Sequence, residues 1–268
     1  MCTQGYLGNL RLWSVTSNES SSTEQNQARR RRKNLNMGIF VHISSSRMYM
    51  ISFTDIKNDE AINTYIRKAD EALGALGYTE HSFAHVTSVA MKAREILSTL
   101  GYSKHECELA EIAGYLHDIG NMVNRTDHAQ SGAIMAFRIL DRLGAEPDEI
   151  ATIVSAIGNH DEGTAVAVNA VAAALILADK TDVRRSRVRN RDFATFDIHD
   201  RVNYAVKKST TNISEDKKSI ILTIDIDTEI SAVMDYFEIF LGRMLLCRKA
   251  AEKLNLKFQL IINNQILL

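Results

Sequence analysis

His117 and Asp118 stand side by side at the end of the apolar run LAEIAGYL, just before Gly120. Successive side chains on an α-helix diverge by about 100°, so two neighbours converge on one site most easily where a helix is ending. Burying an imidazole and a carboxylate there is unfavourable unless both are paired or coordinated, and a metal ion meets that need. The doublet alone says little, because His160-Asp161 and His199-Asp200 repeat it. Its setting separates it from the others.

Further candidate ligands pass the same test. His81 and His85 are four residues apart and share a helix face, a spacing by which helices commonly present paired metal ligands. His128 opens a helical pattern in NRTDHAQSGA, His160 follows a helix ending in IGN, and Asp179 closes the apolar VAVNAVAAALILADK. Taken singly, His85, His128 and His160 read as hydrogen-bonded core histidines and Asp179 as a helix-terminal acceptor. Taken together, a chain that ends helix after helix with His or Asp is unusual for a purely structural bundle. Imidazole with carboxylate suits borderline ions, so the expected cofactor is one or two divalent ions from the set Mn, Fe, Co, Ni, Zn and Mg. His42, His105 and His199 read as ordinary: the first lies in the N-terminal leader, the second inside a capping box, and the third at the start of a polar helix.

The elements that must position these groups are helical. Ile62, Ile66, Ala69, Leu73 and Leu76 recur at helical spacing and stop at Gly77. A second helix starts near His81 and runs to Gly101. A third opens on the capping box Ser103-x-x-Glu106 and reaches His117. Helices follow at 129–143, at 147–158 with Pro147 in the first turn, and at 167–181, which is apolar on nearly every side and should be central. SIILTIDID at 219–227 alternates like a strand after a basic loop. A long amphipathic helix near 230–254 and a hairpin in KFQLIINNQILL complete the chain. The fold class expected is mainly α, a helical bundle with a small C-terminal α+β appendage.

The chain has 268 residues, a formal net charge of −1 and 24% charged residues, which carries no signature of a nucleic-acid binder. Cys2, Cys107 and Cys247 lie far apart without CxxC spacing, against a thiolate metal site or a disulfide framework and in keeping with a reducing cytoplasm. No apolar run approaches the roughly 20 residues that span a bilayer. Residues 1–36 are polar, Ser-rich and then basic. The expected organisation is a disordered or extraneous leader over 1–50, a helical metal-binding domain over 58–208 and the appendage over 209–268. The basic run Arg29–Lys33 reads as a solvated tail before it reads as a contact for nucleic acid or anionic lipid.

The order His85, His117-Asp118, Asp179 resembles the H…HD…D signature of the HD superfamily of metal-dependent phosphohydrolases. HSFAHVTSVA is similar to its first motif, LHDIGN to its second, and ALILADKTDVRRSR to the helix bearing its last Asp. The likeness spans roughly residues 60–190. It implies an HD-type bundle, metal ligands at His85, His117, Asp118 and Asp179, and Asp118 as the carboxylate bridging two metals. His128 and His160 fall where binuclear members place additional ligands, and HDEG at 160–163 is similar to their second-metal segment. The chain lacks the GYP tripeptide that follows in members hydrolysing cyclic dinucleotides, and Asn159 stands where those have another His.

The resemblance therefore implies hydrolysis of a phosphate ester, of a nucleotide in particular, with Asp118 catalytic; Lys180, a cation adjacent to the last ligand, is expected to be catalytic beside it. A metal lowers the pKa of bound water from about 15.7 to near 7, which removes the need for a Ser or Cys nucleophile. Lys180, Arg184 and Arg187 recur at helical spacing, so one face is expected to present three cations to the phosphate, with Arg125 a further candidate. The alternative is a catalytically silent module that binds a nucleotide or metal for regulation. The long C-terminal helix has a broad apolar face that would cover the bundle or pair two subunits as a homodimer.

Overall fold

A computed structural model of the protein describes residues 51–268. The expected leader over 1–50, with the Arg29–Lys33 run and His42, lies outside the described residues.

Helix starts follow from side chains that take up otherwise free first-turn amides. Ser52 accepts from the Asp55 amide ahead of α1 (Phe53–Asn58), and Asp59 accepts from the Ile62 amide ahead of α2 (Glu60–Ala75). Ser82 caps α3 (Phe83–Leu100), and the reciprocal Ser103/Glu106 box opens α4 (Lys104–Leu116). A 3₁₀ turn over Ile119–Met122 leads to α5 (His128–Leu143) and α6 (Pro147–Gly158). The central helix, α7 (Ala170–Lys180), begins three residues later than expected because Asn169 accepts from the Ala172 amide and sets the start there. α8 (Ile198–Ala205) and α9 (Val233–Lys253) follow. Among the described residues no helix is long and apolar enough to cross a membrane.

Every residue of α7 from Val171 to Lys180 is buried. It packs against α3, α4, α6 and α9, so its C-terminal Asp179 is delivered to the middle of the bundle. α3 and α4 meet at Gly114, where an added Cβ would lie 2.7 Å from the Ala90 Cα. The turn after His117-Asp118 is tighter still. A Cβ on Gly120 would overlap the His128 carbonyl oxygen and stand 2.5 Å from the Gly132 amide. Only glycine lets this turn lie on the start of α5, and that contact brings His128 to the doublet.

The C-terminal elements form a sheet of order β1-β2-β3-β4, from β1 (Val206–Ile213), β2 (Ser219–Ile226), β3 (Lys257–Ile262) and β4 (Gln265–Ile266). β1/β2 and β3/β4 are antiparallel, and β2/β3 are parallel. Parallel strands need a crossover, and α9 supplies it, so this region is one βαβ unit rather than separate pieces. β1 stands where a basic loop was expected. Its sequence VKKSTTNI has few apolar residues, and the strand exists through its register with β2, which slips between Val206 and Lys208.

Candidate metal centre

Four histidines come together with their rings in contact in a chain. Ring centroids lie 5.3 Å apart for His85 and His117, 5.1 Å for His117 and His160, and 5.0 Å for His160 and His128. Each ring is held through Nδ1. His117 Nδ1 donates to the Gly114 carbonyl at 2.8 Å, His128 Nδ1 to the Arg125 carbonyl at 3.0 Å, and His160 Nδ1 to the Ile157 carbonyl at 2.6 Å. His85 Nδ1 donates to Asp182 Oδ2 at 2.7 Å. A carbonyl or carboxylate oxygen only accepts, so a proton sits on each Nδ1, and Nε2 presents the lone pair when the ring is neutral, as a metal ion requires. An acceptor holding the far nitrogen of a ligating histidine is the usual support for metal ligation.

The inward atoms meet other acceptors. His85 Nε2 is 3.5 Å from Asp118 Oδ2 and 3.4 Å from Asp179 Oδ1, and His117 Nε2 is 3.2 Å and 3.6 Å from the same two oxygens. His128 Nε2 is 3.2 Å from His160 Nε2 and 3.6 Å from Asp118 Oδ1. His85 Nε2, His117 Nε2 and Asp118 Oδ2 are buried with no hydrogen-bond partner. Lone pairs gathered without a donor are costly, and a divalent cation removes the cost. Two residue groups lie close enough to share an ion: His85, His117 and Asp179, and His117, Asp118 and His160. The residues fit the metal that the ligand types imply, and the two oxygens of Asp118 face the two sides.

The electrostatics demand positive charge at the same spot. Burial opposes a charged His117, yet Asp118 and Asp179 outweigh it and raise its pKa to about 10. Burial also opposes charge on Asp118 and Asp179. The nearby His117 for the first, and Lys180 with His117 for the second, hold both carboxyls well below the usual carboxylate range. His160 behaves oppositely: burial, then Lys180, lowers it to about 3, so its Nε2 stays a lone-pair donor.

All six predicted ligands, His85, His117, Asp118, His128, His160 and Asp179, are therefore gathered. His81 lies at the edge with its ring 5.3 Å from that of His85 and its Nδ1 on the Thr79 carbonyl, outside both groups. Beside the cluster opens a cavity of about 370 Å³. Arg125, Lys180 and Arg187 line it. The expectation of one helical face bearing Lys180, Arg184 and Arg187 is overturned, since α7 ends at Lys180 and the Thr181 hydroxyl closes it on the Leu177 carbonyl. Arg184 turns away to Asp182, Ser186 and Glu80. Arg187 reaches the cavity only as a buried brace, bonded to the Glu80 and Asp182 carbonyls. Lys180 is engaged by Asp179 at 2.9 Å and Glu162 at 3.2 Å.

Asp182, Glu162 and Arg243 complete the site; the first two lie inside the quoted segments ALILADKTDVRRSR and HDEG without being singled out there, and Arg243 carries no signal in the sequence. Arg243 lines the cavity from α9 and pairs with Glu162 at 2.6 Å. Asp182 orients His85, and Asp182→Ala should weaken divalent-metal affinity by about 10- to 100-fold, measured by competition with a metallochromic chelator.

A family model for the HD domain matches residues 82–201, which include all six ligand candidates. An uncharacterized protein of Methanocaldococcus jannaschii is 27% identical over 159 residues, which cover 51% of this chain and 61% of that protein's length. The ordered ligand set, its convergence on one buried centre and the matched segment agree in likening residues 82–201 to the HD domain, the domain of the HD superfamily of metal-dependent phosphohydrolases.

Proposed function

We propose that this protein hydrolyses a phosphate ester of a nucleotide, using one or two divalent ions held by His85, His117, Asp118, His128, His160 and Asp179, with Asp118 between them. The observation that carries this reading is the set of buried, partnerless Nε2 and carboxylate atoms facing one another beside a cavity lined with cations. A bound divalent ion would supply a water activated near neutral pH.

The chain's own groups do the rest. Lys180 clamps Asp179 and so fixes a ligand carboxylate. Arg125 Nη1 makes two long contacts, to Asn121 Oδ1 at 3.3 Å and to His128 Nε2 at 3.5 Å, and the guanidinium rests over the Tyr78 ring, which leaves its other N–H groups for phosphate oxygens. Arg243 pairs with Glu162 through Nε and lies over the Phe240 ring. A cavity of about 370 Å³ is at the small end of ligand sites, roughly 300–1,000 Å³, which favours a single nucleotide unit.

Metal-loaded protein should release phosphate in a screen of nucleoside monophosphates, dinucleotides and cyclic nucleotides, with turnover on a monophosphate. Background release on all of them, with metal bound, would favour the silent regulatory module instead. Metal binding should also show as stability. An ion at about 100 times its Kd adds about 2.7 kcal/mol, or roughly 5–10 °C in Tm for a chain of this size, and a chelator should remove that shift in a thermal melt.

A further inference from the structure

The cavity has a wall that the phosphate chemistry does not use. Asp197, His199, Asp200 and Asn203, at the start and along one side of α8, line it together with Arg125 and Arg243. Residues three and four apart share a helix face, so Asp200 and Asn203 act from one side. Neither Asp197 nor Asp200 forms an ion pair with any cation among the described residues. Their hydrogen bonds leave one oxygen each. Asp197 Oδ1 accepts from the Asp200 amide at 2.8 Å, and Asp200 Oδ2 accepts from Asn190 Nδ2 at 3.3 Å. Asn203 is buried and gives Nδ2 to the His199 carbonyl, which leaves its Oδ1 as an acceptor.

A wall of carboxylate and amide oxygens repels a phosphate and attracts hydroxyl or N–H donors. Carboxylates in nucleotide sites commonly take up ribose hydroxyls. Resting on the phosphohydrolase reading above, we infer that this α8 wall, with Asp200 and Asn203 at its centre, binds the vicinal hydroxyls of a ribose. The substrate class is then a ribonucleotide rather than a deoxyribonucleotide or a simple phosphate ester.

The division of labour is chemical. Arg125, Arg243 and the metal ligands take the anionic end of the substrate, and the α8 oxygens take its hydroxylated part. A hydrogen bond from a hydroxyl to a charged acceptor discriminates by about 10- to 100-fold against an analogue that lacks it.

The test is calorimetric binding of adenosine 5′-monophosphate and 2′-deoxyadenosine 5′-monophosphate, and of the other three base pairs of analogues, to the full-length metal-loaded protein. At least one ribonucleotide should bind about tenfold or more tightly than its deoxy counterpart. Asp200→Asn and Asn203→Ala should each bring that ratio towards one, with circular dichroism confirming the fold. Equal affinity for every ribo/deoxy pair in the unaltered protein, or no binding of either, overturns the inference and needs no variant. A ratio that both variants leave unchanged overturns it too. A ribose preference without phosphate release would uphold the inference while overturning the phosphohydrolase reading. Phosphate release with equal ribo and deoxy affinities would do the reverse.

Discussion

Asp118→Ala should yield a folded protein that no longer holds its metal and releases phosphate about 10³-fold more slowly. Its Oδ2 faces His85 and His117, and its Oδ1 faces His128 and accepts from Asn121 Nδ2 at 2.9 Å. Removing it takes an anion from both halves of the cluster at once. Metal in such a site is worth several kcal/mol to a phosphoryl transition state, and each 1.36 kcal/mol is a factor of ten in rate. The metal-free fold should survive, because the deleted carboxylate's main neighbours, His85, His117 and His128, are ligands rather than core. Metal content, phosphate release and the metal-dependent rise in Tm should therefore fall together. Retention of both metal and rate would remove Asp118 from the centre.

Gly120→Ala should do the larger damage to stability. The added methyl meets the His128 carbonyl and the Gly132 amide, which are backbone atoms of α5, and neither can rotate away. Overpacking a tight interior costs about 1–3 kcal/mol, and this backbone collision belongs at the top of that range or above it, roughly 6–12 °C in Tm. Any relief must push α5 outward, which carries His128 from His160 and Asp118. The variant should thus lose metal-dependent stabilisation as well as Tm. Gly242→Ala is the matched control. A Cβ there meets nothing within 4 Å, and replacing a helical glycine with alanine should raise stability by about 0.5–1 kcal/mol. Similar melting curves for the two variants would mean that the turn is not packed as described.

These two residues also mark what the amino-acid order makes legible. Helix caps act within four residues, so Ser103/Glu106 and Pro147 fix their helices locally, and His117-Asp118 can be placed at a helix end from the run before it. The six ligand candidates are readable because ligand chemistry restricts them to His and Asp at helix ends, and the structure brings all six to one place. The supporting groups are a different matter. Asp182 lies 97 residues from His85, and Arg243 reaches Glu162 across the α7/α9 packing. Asp182 falls inside ALILADKTDVRRSR, where nothing marks it out from its charged neighbours, and nothing near Arg243 distinguishes it from an ordinary surface charge. The arginines after Asp179 show the opposite failure. Their spacing suits a helix, but the chain leaves helical geometry at Thr181, and Arg184 is directed to Asp182 instead of the cavity. His199-Asp200 looks like the start of a polar helix, which it is. That its side chains line the cavity follows from how α8 packs on α9 and on the turn after α7, a tertiary fact with no local trace. β1 is similarly silent, being specified by its partner strand.

Whether the four Nε2 atoms and the carboxylates of Asp118 and Asp179 share divalent cations can be read from anomalous diffraction by crystals grown with Mn²⁺. One or two peaks are expected, enclosed by His85, His117, Asp118, His128, His160 and Asp179, each about 2.0–2.3 Å from at least three of their ligand atoms. A fully occupied peak elsewhere on the molecule, with this cluster lacking one at saturating Mn²⁺, would contradict that sharing.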